Sequence, residues 1–297
     1  MVLTTSRVPE SCLSGAKVML GIDEAGRGPI LGPMVYGAAY WPIAMDDKMR
    51  TMGFDDSKAL SHEAREKLFD KIKATDDVGY VTREIPAAEI SHNMLTRRRN
   101  LNEMSRDAAI EMIVAVRSSG VNIVHVYVDT VGDPGWYQSF LTKHFNGSIT
   151  FTVEKKADSL YKVSRLPPMA LMPRQVVSAA SICAKVTRDA KVSEWTWEHP
   201  SLKLPTDYGS GYPGDPKTKQ WLAAHIDTVF GYPSILRFSW GTLESYQDRM
   251  AAVVWPHDKE DAPAGTQSIK SFMQPGAKKR KRTPYFVANH LELATEL

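Results

Sequence analysis

A chain of 297 residues with a net charge of +3 and 24% charged residues has room for one large domain and an appendage, and its charge neither requires nor excludes a polyanionic partner. Its two cysteines, Cys12 and Cys183, exclude a disulfide framework and fit a cytosolic or nuclear setting; without CxxC or clustered Cys/His spacing, no zinc cluster is expected. No apolar run approaches the ~20 residues of a membrane-spanning helix, and Met1 to Lys17 has no apolar core behind a basic start, so no membrane partner and no secretory signal are expected.

Residues 1–17 form a loosely patterned leader. Val18 to Trp41 predicts a hairpin. An apolar run ends in Asp23-Glu24, the turn Gly26-Arg27-Gly28-Pro29 follows, and a second apolar run covers Met34 to Trp41. After a connection over 42–54, Asp55-Asp56-Ser57-Lys58 leads into a helix that Ser61 caps and Glu63 to Ile72 carries with helical periodicity. Val78 to Ile85 reads as a strand and Ser91 to Ser118 as one or two helices. Asn122 to Val128 is a β-branched apolar run, expected to be a strand buried on both faces, and it ends at Asp129. A helix over Pro134 to Phe145 and a strand over Ser148 to Val153 lead through Glu154-Lys155-Lys156 to Asp158. Val176 to Trp197 predicts a helix built on small residues, and Lys217 to Val229 another. Residues 256–282, rich in Pro, Gly, Ser and charge, read as a disordered linker closed by the basic run Lys278 to Arg282; Tyr285-Phe286 and the residues to Leu297 restore apolar anchors. Strands alternating with helices indicate an α/β fold with a layered sheet.

Asp23-Glu24, Asp129 and Asp158 share one context, each following a β-rich apolar stretch. If those strands are neighbours, four carboxylates converge at one sheet edge. Such a crowd is stable only when partly protonated or when it binds a divalent cation. Carboxylate oxygens suit Mg²⁺ or Mn²⁺, and two such ions clamp an in-line phosphoryl displacement. Taken singly, each acid equally reads as a loop cap. Lys185 and Arg188 lie on the small-residue helix, where they could hold phosphates or simply face solvent. Tyr208-Gly209-Ser210-Gly211-Tyr212-Pro213 is a glycine loop that could present a ring to a sugar or base, or be an ordinary turn.

Several of these segments, in this order, resemble the signatures of type 2 ribonucleases H: Gly21 through Pro29, Asp56-Ser57-Lys58, Tyr127 through Gly132, Lys156-Ala157-Asp158, and Ser178-Ala179-Ala180-Ser181 through Lys185. Gly209 through Pro213, Asp215-Pro216-Lys217-Thr218 and Arg237-Phe238-Ser239-Trp240 complete the set, so the likeness covers residues 17–245. The resemblance implies an RNase H-like fold: a mixed central β-sheet flanked by helices, a helical C-terminal part from about residue 200, and a flexible tail over 246–297. It implies metal-dependent hydrolysis of RNA in RNA/DNA hybrids and incision 5′ of single ribonucleotides in duplex DNA, with two divalent ions held by Asp23, Glu24, Asp129 and Asp158. Gly26, Arg27 and Gly28 would read the ribose 2′-OH, Tyr212 would meet the sugar at the RNA–DNA junction, and Lys58, Lys185 and Arg188 would contact phosphates. The C-terminal extension resembles the eukaryotic branch, a heterotrimer with non-catalytic subunits B and C, in which Tyr285-Phe286 would dock on the partners and the basic run would serve nuclear import. Nuclear ribonucleotide excision repair and Okazaki primer removal are the implied roles. A non-catalytic nucleic-acid-binding or scaffold subunit is the alternative, and the full set of carboxylates argues against it.

One stretch departs from the family. Residues 162–175, with three prolines, intervene between the Asp158 segment and the Val176 helix. They read either as a lineage-specific loop or as translated intron. Sequencing the mature transcript separates the two.

Overall fold

The structure is a computed structural model that describes residues 2–54, 60–155, 174–198 and 204–251. Lys58, Asp158, residues 162–173 of the expected insertion, the linker, the basic run, Tyr285 and Phe286 lie outside the described residues. The chain divides into two compact units, Met1–Met250 and Ala251–Leu297, and every described residue except Ala251 belongs to the first.

Six strands form one mixed sheet: β1 (Val2–Thr5), β2 (Val18–Ala25), β3 (Met34–Pro42), β4 (Gly79–Ile85), β5 (Ile123–Asp129) and β6 (Thr150–Glu154). Their order is β1-β4-β3-β2-β5-β6. The β1–β4, β3–β4 and β2–β3 pairs are antiparallel; β5 and β6 join parallel to β2. The hairpin expected over 18–41 is therefore the centre of the sheet. The leader differs from its sequence reading, because Val2–Thr5 pairs with β4 and closes one edge. A four-residue edge strand draws its order from backbone pairing with a partner far along the chain, which local pattern does not report.

Helices cover both faces. α1 (Asp46–Arg50) is a short turn in the connection, and α2 (His62–Ala74) follows with Ser61 as N-cap, its side chain accepting from the Ala64 N–H at 3.2 Å. The stretch 91–118 resolves into α3 (Ala87–Leu95) and α4 (Leu101–Ser118), the second opened by a reciprocal capping box between Asn100 and Glu103. α5 (Pro134–His144), α6 (Arg174–Ser193) and α7 (Pro216–Ala224) complete the set described. α6 starts two residues before the expected helix and takes in Arg174 and Gln175, which the sequence assigned to the insertion. The C-terminal part of the first unit contributes α7 and a 3-10 stretch, Gly241–Arg249, with loop between.

One core packs Leu20, Ile22, Met112, Ile113, Val126 and Val128 between the sheet and α4 and α5. The other packs Met19, Trp41, Ile72, Val176, Val177 and Ala180 between the sheet, α2 and α6. Cys12 and Cys183 are free, buried, and divided between the two cores. α6 lies unusually close to the sheet. A Cβ on Gly21 would come within 2.4 Å of the Val176 backbone, and one on Gly37 within 2.3 Å of the Ala180 carbonyl. That contact explains the small residues of α6, and it places Lys185 and Arg188 one and two turns further along. β5 departs from the expectation of burial on both faces. Val126 and Val128 are buried, whereas His125 and Tyr127 on the alternate face are half-buried. Their side is covered less completely than the α4–α5 side, and their rings stack on each other at 4.1 Å between centroids.

Candidate active site

β2 and β5 run parallel with Ile22 opposite Val128, so the next residues of the two strands, Asp23 and Asp129, stand side by side at the same sheet edge. Strand alternation turns Asp23 to the α6 side with Gly21, and Glu24 to the α4–α5 side with Ile22. Asp23 is 3% exposed and its Oδ1 accepts from the Glu24 N–H at 2.7 Å. Beneath Glu24 lies Tyr36, whose phenol is pushed well above its ordinary pKa by burial first and by the Glu24 charge second. Tyr36 therefore stays a neutral phenol.

These carboxylates open onto a cleft of about 330 Å³. Asp23, Glu24 and Asp129 form one wall, Gly26, Arg27 and Gly28 a second, and Lys185, Arg188 and Tyr212 a third. Every sequence-nominated site residue among those described thus meets in one place. Asp158 and Lys58 are outside the described residues, and so are the two docking aromatics. Among the described residues no group of three or more His, Cys, Asp and Glu is arranged to hold a metal ion. The three described carboxylates therefore make an open wall. Their chemistry, oxygen donors only, fits a hard divalent cation completed by further oxygens.

The turn after β2 is built by long-range hydrogen bonds. Gly26 has φ +76°, a left-handed conformation that glycine adopts without steric cost. Arg237 is fully buried, and its guanidinium donates to three carbonyls: Arg27 (2.9 Å), Gly32 (2.9 Å) and Gly26. Trp240 Nε1 donates to the Gly28 carbonyl at 3.1 Å, and the Trp240 ring lies 4.9 Å from the Arg237 guanidinium carbon. Because a trans peptide sets C=O and N–H on opposite sides, the N–H groups of Arg27 and Gly28 point away from Arg237. Burial first, and the Arg188 charge second, push Arg237 down to about 9, which leaves it cationic at neutral pH.

Arg27 is not a free cation in the cleft. Its Nη1 donates to Ser105 Oγ at 2.7 Å and its Nη2 to Asn102 Oδ1 at 2.5 Å, so its side chain ties the turn to α4. Arg188 packs on Gly26 and pairs with Asp189 at 3.1 Å. Tyr212 is 51% exposed, and a Cβ on Gly28 would approach its ring to 2.9 Å, so glycine there lets the tyrosine lie against the turn. The sequence reading assigned no role to Arg237, Trp240, Asn102 or Ser105. The signal available was an arginine inside the apolar Ile235-Leu236-Arg237-Phe238 run.

Asp215 holds the Tyr212 loop. It accepts from the Ser210 N–H and Oγ, both at 2.6 Å, and from the Lys217 N–H at 2.9 Å, where it caps α7. The Ser210 hydroxyl first, and then the two backbone N–H groups, lower its pKa from 3.8 to about 2. A depressed folded pKa stabilises above the unfolded value and is lost as pH falls through the folded one. The loop is therefore expected to keep full support above about pH 4 and to lose it towards pH 2. Asp215→Asn should remove that pH step and move the fluorescence of Tyr212; an unchanged acid titration of the variant refutes the assignment.

The family model for Ribonuclease HII matches residues 20–243. The chain belongs to the ribonuclease HII family. It is a ribonuclease H, a nuclease of the hydrolase class. The A subunit of human Ribonuclease H2 is 43% identical over 298 residues, 99% of this chain and 95% of that relative. The crystal structure of ribonuclease H2 from Pyrococcus horikoshii is 32% identical, covers 78% of this chain and 98% of its own, and superposes with a TM-score of 0.60. Bst-RNase HIII in complex with Mn²⁺ shares the fold at 17% identity, a TM-score of 0.54, and coverage of 79% of this chain and 70% of its own. The cleft of this ribonuclease HII chain lies wholly inside the matched span. No described helix is long and apolar enough to cross a membrane.

Proposed function

We propose that this chain is a metal-dependent endoribonuclease acting on RNA/DNA hybrids and on duplex DNA at single embedded ribonucleotides, cutting 5′ of the ribonucleotide. The observation that carries the reading is the register pairing that sets Asp23 beside Asp129, next to a glycine turn whose carbonyls are all drawn inward. Asp23, Glu24 and Asp129, with Asp158, would hold two divalent ions, Mg²⁺ or Mn²⁺, which when bound supply Lewis-acid charge at the scissile phosphate and lower the pKa of the attacking water. The chain's own groups do the rest. The Arg27 and Gly28 N–H groups face the ribose 2′-OH, the one group that separates RNA from DNA. Tyr212 packs on the sugar, and Lys185 and Arg188, with Lys58, neutralise flanking phosphates. Water adds to phosphorus in line as the P–O3′ bond breaks, and the 3′ oxygen takes up a proton, leaving a 3′-hydroxyl and a 5′-phosphate.

The likeness to the A subunit of a named enzyme supports assembly with non-catalytic partners, subunits B and C of a heterotrimer, through the extension over 246–297 that includes Tyr285 and Phe286. Residues 18–245 would then be the catalytic domain, and the basic run Lys278 to Arg282 would direct the enzyme to the nucleus for ribonucleotide excision repair and primer removal. The test is a DNA duplex with one ribonucleotide, incubated with the full chain in its active assembly, with Mg²⁺ or with EDTA. Metal-dependent cleavage at the 5′ side of the ribonucleotide is the expected result; cleavage that persists in EDTA, or that ignores the ribonucleotide, overturns the reading.

A further inference from the structure

Behind Glu24 and Asp129 a second cavity, of about 90 Å³, branches from the cleft. It shares Glu24, Arg27 and Asp129 with the cleft and runs on to Arg106 of α4 and Trp136 of α5. Trp136 stands in the first turn of α5, seven residues beyond Asp129, and its N–H is held by the Asp133 cap at 3.1 Å. A tryptophan in such a place would ordinarily be covered. Here the ring is 53% exposed, although Phe140 stacks on it at 5.3 Å between centroids and 14° between planes. The Arg106 guanidinium carbon lies 5.0 Å from the Trp136 centroid and 5.2 Å from that of Phe140.

The neighbouring arginines spend their charge elsewhere. Arg27 donates to Ser105 and Asn102, Arg99 pairs with Asp107, and Arg83 with Glu89 and Glu111. Arg106 makes no hydrogen bond or ion pair among the described residues. A guanidinium with unspent donors beside a half-exposed indole combines two elements that hold a duplex backbone: a cation for the phosphate and an apolar ring for the sugar. The pair adjoins the carboxylates, within reach of a duplex held at them.

We propose that Trp136 and Arg106 form an outlying subsite for one nucleotide of the substrate backbone, on the Asp129 side of the scissile phosphate. Trp136 packs against the sugar and Arg106 takes the adjoining phosphate. This rests on the nucleolytic reading of the cleft. The simpler role for the pair, a staple between α4 and α5, would affect folding stability and not depend on how far the substrate extends.

The test uses the full chain in its active assembly and duplexes carrying one ribonucleotide, either long on both sides or truncated to a few base pairs on one side. Trp136→Ala is expected to raise KM about tenfold on the long duplex, within the range that burying part of an aromatic ring supplies, with kcat affected far less. Truncation on the side that reaches the subsite should erase the difference, and truncation on the other side should leave it. Trp136→Phe should restore most of the affinity. Arg106→Gln should weaken binding and lower the slope of log affinity against log salt by about one, and it reads the subsite even where Trp136→Ala folds poorly. Unchanged KM in both variants, or a KM change equal on every truncated duplex, overturns the subsite alone. Failure of the unsubstituted enzyme to cut with Mg²⁺ overturns the nucleolytic reading instead.

Discussion

Asp23→Asn is expected to abolish cleavage while the protein stays folded. The substitution keeps the shape of a side chain that is 3% exposed and preserves an oxygen for the Glu24 N–H. It removes one of four carboxylates that line the same cleft, the others being Glu24, Asp129 and Asp189. The isostere can still accept from the Glu24 N–H, so the melting temperature should stay close to the parent's. Chemistry should suffer far more than stability. A metal-held transition state draws several kcal/mol from its ligands, so single-turnover cleavage should fall by about 10³-fold or more at ~1.4 kcal/mol per tenfold. Asp129→Asn should behave alike, because the two residues are lateral neighbours in the parallel register. Anisotropy with a labelled hybrid measures binding separately and should show it largely retained. Turnover within tenfold of the parent in either variant would remove these acids from the mechanism.

Arg237→Ala should do more damage to stability than any substitution in the cleft. It leaves the buried Gly32 carbonyl and the half-buried Gly26 and Arg27 carbonyls without their donor and deletes a ring contact with Trp240. Breaking such a buried charged network costs about 3–5 kcal/mol, which corresponds to a fall of roughly 6–20 °C in melting temperature for a chain of this size. The informative variant is Arg237→Lys. An ammonium keeps the charge but lacks the planar fork that reaches three carbonyls in fixed directions. The variant should fold, yet leave the turn imperfectly held and the Arg27 and Gly28 N–H groups misaimed. Its ratio of cleavage at a ribonucleotide to cleavage of an all-deoxynucleotide duplex should drop by about tenfold or more, since roughly 1 Å of misplacement costs on the order of 10² in rate. A lysine variant with intact discrimination would show that the turn aligns itself without Arg237.

The two effects differ because the residues stand at different removes from the substrate. In the proposed function Asp23 would belong to the reacting centre, and its neutral isostere keeps an acceptor for the Glu24 N–H. Arg237 hydrogen-bonds only backbone carbonyls and lies against the Trp240 ring, and those carbonyls set where the glycine turn points. The same logic separates Arg27 from its two glycines. Its side chain is committed to Ser105 and Asn102 on α4, so in the proposed function the turn would read the ribose through peptide backbone.

The sequence by itself determined which residues could be catalytic. An apolar run ending in acids needs only the alternation of a strand to be recognised, and it occurs at Asp23-Glu24 and again at Asp129. The Ser61 cap and the helices around it were legible for the same reason: their interactions span three or four residues, and local pattern carries them. The order of the motifs pointed to the family, and the family implied the fold. What only the tertiary structure decided depends on contacts between residues far apart in the chain. The β2–β5 register joins strands about a hundred residues apart and makes two separate acids into neighbours. Arg237 grips Gly26 across 211 residues. Val2–Thr5 became a strand because β4 offered it a free edge. β5 is half-covered on one face because helix cover is a property of the assembled layers. Trp136 and Arg106 meet only because α4 and α5 pack on the same face of the sheet. Periodicity records how a segment presents itself; where its partner stands is settled by packing, and the glycine turn at the end of β2 owes its aim to that packing.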